Sequence, residues 1–170
     1  MATTFLEPGG DATFNVALTT AGGFWNYVNQ SPDVATDFVH GTHVKSIKYR
    51  AGLSDYVQTK TSVLADAGSR ISMYIYLVTK PSATATMWMP AGGGLVNTFA
   101  LRMTSGGILQ LWDGTAAQIG SNGATLATGS WYRISLAYTI TSTSVNRFEL
   151  FVDAVSSISV TNATLTNIGT

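Results

Sequence analysis

His40 and His43, set one Gly-Thr step apart and just behind Asp37, are the residues whose types most readily do chemistry. Two imidazoles beside a carboxylate suit a metal ion, or a general base whose ring the carboxylate orients. With no third histidine and no cysteine in the chain, a metal shell is incomplete, and a polar turn with solvent-facing imidazoles accounts for the segment. The run Gly92 to Gly94 leads into strand-like sequence and lacks the Gly-Lys-Ser/Thr ending of a phosphate loop. A nucleophile elbow with Ser, His and Asp in order is also missing.

Aromatic rings offer more. Sugars stack their apolar C–H faces on Trp and Tyr while their hydroxyls bond to amides and charged groups, so a carbohydrate site needs rings beside polar side chains. Trp25, Tyr27, Trp88 and Trp112 lie in or beside turns and form the candidate ligand-binding set, although core packing would also account for each. Trp88 stands out, because Pro90 and Gly92 to Gly94 place it by a loop.

The elements that must position these rings are strands. From Trp131 to Ile140 the residues Tyr132, Ile134, Leu136, Tyr138 and Ile140 alternate with Trp131, Arg133, Ser135, Ala137 and Thr139, the period of a strand with one buried face. After the polar run Thr141 to Asn146 the alternation resumes through Phe148, Leu150 and Val152, which makes a hairpin. A one-residue slip would exchange the faces, so the register is strongly specified. Further strands are expected over 12–18 through Phe14, Val16 and Leu18, over Phe24 to Asn29, and from Ile47 to Tyr49. Residues 30–37, with Ser31-Pro32-Asp33, are expected to form a loop. Residues 70–79 are apolar on both faces and predict a central strand, or one whose second face lines a groove. Phe99, Leu101 and Met103, the turn Ser105-Gly106-Gly107 and the segment 108–113 predict another hairpin, closed by Asp113-Gly114.

No segment has helical periodicity, heptads or an internal repeat. About ten to twelve short strands joined by Gly, Ser, Asn and Asp turns predict an all-β fold, an antiparallel β-sandwich of jelly-roll type. At 170 residues the chain fits a single domain over 1–170. A last strand through Ile158 and Val160 is expected, with none visible after it.

Two stretches carry a resemblance. Trp131 and Tyr132 open a long strand that leads through a polar loop to a second strand ending Phe148-Glu149-Leu150-Phe151-Val152-Asp153-Ala154. Earlier, the turn at Gly41 leads to a strand, a short loop and a second strand with the aromatic-valine pair Tyr56-Val57. Together these resemble laminin G-like and concanavalin A-like lectin/glucanase domains over about residues 40 to 160. That family often has Val-Asp-Gly where this chain has Val152-Asp153-Ala154.

The resemblance implies a concanavalin A-like sandwich and a test for catalysis. Members that cleave glycans place two glutamates on one strand face. Here Glu7 lies beside a turn and Glu149 stands alone, so a non-catalytic module is expected. Many laminin G-like domains hold calcium at a loop rim, which makes Asp55, Asp113, Asp153 and Asn162 the oxygen donors to consider, although no D-x-D-x-D cluster concentrates them. The family usually adds a closing strand beside the first. Without one, the sheet has an open edge, another chain covers it, or the chain is a fragment. An open edge is expected to pair with a second copy, giving a homo-oligomer.

Composition narrows the partners. Nine basic and nine acidic residues cancel, and 11% of the chain is charged against a usual ~25%, so no nucleic-acid partner is expected. No apolar run is long enough to span a bilayer, and the opening residues lack the basic and apolar parts of a secretory signal. The expected function is a non-catalytic recognition or structural module displayed on a virion surface, such as a phage capsid decoration or tail protein, with a glycan or virion proteins as partners. The alternative is a carbohydrate-binding module of a larger secreted bacterial protein.

Overall fold

The computed structural model describes residues 25–29, 33–35, 46–48, 56–59, 68–90, 99–114, 117–141 and 146–165. The readings placed on Glu7, Phe14, Val16, Leu18, Asp37, His40, His43, Tyr49, Asp55 and Gly92 to Gly94 lie outside them. Two compact units divide the chain, one within Leu6–Val63 and one taking in Leu64–Thr170.

In the first unit, β1 (Trp25–Asn29) pairs antiparallel with β4 (Tyr56–Thr59), and β2 (Asp33–Ala35) pairs antiparallel with β3 (Ser46–Lys48). The expected loop over 30–37 therefore contains a short strand. Its ladder runs from Asp33↔Lys48 to Ala35↔Ser46.

The second unit is all-β, with no helix among the described residues, and holds two four-stranded antiparallel sheets. One has the order β12 (Val155–Ala163), β11 (Asn146–Val152), β10 (Trp131–Ile140), β5 (Gly68–Tyr76). The other runs β6 (Ala85–Trp88), β7 (Phe99–Met103), β8 (Leu109–Asp113), β9 (Ala117–Ile119). The core lies between them. Ile134, Leu136, Tyr138, Phe148 and Leu150 from one sheet face Phe99, Leu101, Leu109 and Leu111 from the other, all buried. Phe99 spans the layer, with ring centroids 4.9 Å from Tyr138 and 5.0 Å from Phe148. Such pairs add about 0.5–1.5 kcal/mol each beyond the area they bury. This is a β-sandwich.

The hairpin read from Trp131 to Asp153 forms in the register its alternation demands, with Leu136 opposite Leu150 and Tyr138 opposite Phe148. Asn146, expected in the loop, instead opens β11 and is buried, its amide hydrogen-bonded at both ends. Its Oδ1 accepts from the Thr141 N–H at 3.0 Å and its Nδ2 donates to the Ala163 carbonyl at 2.9 Å. Asp153-Ala154 makes the tight turn into β12 with φ of 50° and 67°, the mirror-image turn that matches strand twist. Asp153 fastens it: its N–H donates to the Arg133 carbonyl at 2.9 Å, and its Oδ1 accepts from the Arg133 N–H at 2.8 Å.

Two expectations are corrected. β5 is not central: among the described residues it ends its sheet and pairs with β10 alone. Its second apolar face arises because Tyr76 meets Trp131 on the outer side, with centroids 5.4 Å apart. The last strand runs to Ala163, not Val160, and its ladder with β11 breaks register twice, near Asn146/Phe148 and Leu150/Phe151. β9 had no counterpart in the sequence reading.

Candidate binding face

Strands β7, β8 and β9 direct Leu101, Leu109, Leu111 and Ile119 inward, so alternation turns Arg102, Gln110, Trp112 and Gln118 outward. Register brings them together: Arg102 lies opposite Gln110, and Trp112 opposite Gln118. The small Ala100, opposite Trp112 on its other side, adds no bulk beside the indole.

An amide network fixes these side chains. Trp112 Nε1 donates to Gln110 Oε1 at 3.1 Å, and Gln110 Nε2 donates to Gln118 Oε1 at 3.0 Å and to Asn122 Oδ1 at 2.7 Å. Gln118 Nε2 donates to Asn122 Oδ1 at 3.1 Å and to the Gly120 carbonyl at 3.3 Å. Both protons of each glutamine amide are thus committed within the protein. Asn122 Nδ2 has no acceptor among the described residues and is exposed. The Arg102 guanidinium lies 4.6 Å from the centre of the Trp112 ring and donates through Nη2 to the Gly114 carbonyl at 3.0 Å. Its buried Nε has no acceptor among the described residues. The cation–π contact offsets part of that cost, being worth up to about 2 kcal/mol where water is excluded.

Asn122 is placed by the loop after β9. Gly120 has φ of 70°, and a Cβ there would stand 2.5 Å from a Val160 methyl. At Gly123 a Cβ would meet Ser157 Oγ at 2.7 Å and Ile158 at 2.9 Å. Only glycine lets the loop lie this close to β12. Gly123 N–H donates to the Leu109 carbonyl and Ala124 N–H to Ser157 Oγ, which pins the loop to both sheets.

The loop and the β11–β12 turn enclose a shallow cleft of about 420 Å³, lined by Asn122, Gly123, Ala124, Val152, Val155, Ser156 and Ser157. Asn122 therefore belongs both to the amide network and to the cleft wall.

The candidate aromatics separate. Trp112 lies in the network just described. Trp88 ends β6 and is half-buried, packed toward the core with its centroid 5.6 Å from that of Phe99. It is less exposed than its neighbouring loop predicts, because a bulge between Thr86 and Trp88 sets it opposite Leu101, on the inner face. Trp25 and Tyr27 lie on the backbone of β1 in the other unit. Of the proposed metal donors, Asp113 is buried at the end of β8, while Asp153 holds the β11–β12 turn in the opposite sheet. Asn162 lies on β12 with φ of 59°. Among the described residues no three His, Cys, Asp or Glu side chains gather as a metal set.

Arg102, Gln110, Gln118 and Asn122 were not singled out from sequence. Their signal was present: once Ser105-Gly106-Gly107 is taken as the turn, alternation alone puts Arg102 beside Gln110 and Trp112 on the outer face. In comparison with known proteins, the chain matches no family model, no curated protein and no solved structure.

Proposed function

We propose that this protein is a non-catalytic recognition module that binds a glycan on the outer face of β7, β8 and β9. One observation carries the reading: the Trp112 indole is held by Gln110 and Arg102 beside the outward amide of Asn122. A sugar needs an apolar ring to stack on and fixed polar groups at its edge; Arg102 covers one face of Trp112, so the sugar stacks on the other. Here Asn122 Nδ2 and the guanidinium supply donors, so the ligand is rich in acceptors, as sugar hydroxyls and ring oxygens are. The network's side chains are held by hydrogen bonds to one another, so little ordering entropy is lost on binding.

The sandwich supports a jelly-roll, concanavalin A-like relationship as part of the same proposal. Display on a virion surface, or within a larger secreted protein, is the setting in which such a module works. Many weak copies on one particle multiply single-site affinity through effective concentration.

The test is a glycan array probed with the protein and with Trp112→Ala, after thermal melts show that the variant folds. Specific signals that vanish in the variant are expected. Signals unchanged by the substitution, or none for the folded protein, would overturn the assignment.

A further inference from the structure

We infer that the cleft beside Asn122 is a second subsite of the same binding face, built to take the acyl group of an N-acylated amino sugar. The inference rests on the glycan reading of the Trp112 face and names the ligand class.

The cleft has two kinds of wall. Val152 and Val155 supply an apolar side, and Val155 is 69% exposed, so its methyls are open to a ligand. The Asn122 amide and the Ser157 hydroxyl add polar groups to the lining. Ser157 Oγ accepts from Ala124 N–H and keeps a second lone pair, so it and Asn122 Nδ2 are the groups that meet a ligand. An acetamido group presents this complement: a methyl for the valines, a carbonyl to accept from Asn122 and an N–H to donate to a serine hydroxyl. The volume of about 420 Å³ holds one sugar unit with its substituent. Because Asn122 is shared, a ligand stacked on Trp112 extends past it into the cleft, so an oligosaccharide is required.

Chitotetraose and cellotetraose share one backbone and differ by the acetamido group in place of a hydroxyl, so titration calorimetry with both isolates the subsite. The expected result is at least about tenfold tighter binding of chitotetraose, the discrimination a small apolar group in a fitted pocket provides. Val155→Asp should erase the preference, and Val155→Thr, nearly the same shape, should weaken it without disturbing the fold. Equal affinity for the two tetrasaccharides, a preference that survives Val155→Asp, or binding of neither would overturn the inference. The array with Trp112→Ala then decides separately whether the Trp112 face binds glycans at all.

Discussion

Ala154 occupies a position at which φ is 67°. For an L-residue with a Cβ this left-handed conformation costs roughly 1–2 kcal/mol, and glycine escapes it. The chain tolerates alanine there because Asp153 fastens the turn to Arg133 through two hydrogen bonds. Ala154→Gly should therefore raise stability by about 1 kcal/mol, after the greater backbone entropy glycine loses on folding. Urea unfolding monitored by tryptophan fluorescence would show a higher midpoint at unchanged slope. An unchanged or lower midpoint would mean that the turn is not strained. The resemblance to families with Val-Asp-Gly had already marked this residue, whereas the burial of Asn146 was hidden, because it depends on a contact with Ala163 across the sheet.

At the scale of elements, the loop from Gly120 to Ala124 joins the amide network to the cleft. Gly123→Ala should push the loop off β12, since the new methyl would stand within 3 Å of Ser157 Oγ and Ile158. The expected outcome is a destabilised but folded sandwich in which Asn122 has left Gln110 and Gln118. Side-chain amide resonances in a nitrogen-proton correlation spectrum would report it, those of Gln110 and Gln118 moving while core methyls hold. Unmoved glutamine amides would show that the loop does not position Asn122. The strands themselves were legible wherever one face is buried, as in β7, β8, β10 and β11, because alternation and burial coincide there. β5 misled for a physical reason: a strand carrying aromatics on its outer side looks in sequence like one buried on both faces. The three residues of β9 were too short to show a period, and the bulge that turns Trp88 inward leaves no mark in composition.

For the molecule as a whole, the sandwich of the second unit is a scaffold whose inner faces supply the core and whose outer face presents a prearranged ring and amides. The all-β, antiparallel class of the described residues could be read from the chain because strand period and turn residues agree there. The proposed binding face could be read only in part. Trp112 was among the candidates, but its polar neighbours come from three strands and a loop, and only the register assembles them. The most direct test of that assembly is a titration of the uniformly nitrogen-15-labelled protein with chitotetraose, following the indole N–H signals of its four tryptophans. Trp112 is assigned by its absence in Trp112→Phe. Its signal should shift saturably, because the indole N–H bonded to Gln110 lies at the contact, while that of Trp88, packed toward the core, stays in place. If a glycan found by the array shifts other indoles and leaves Trp112 unmoved, the binding face assigned to β7, β8 and β9 is wrong.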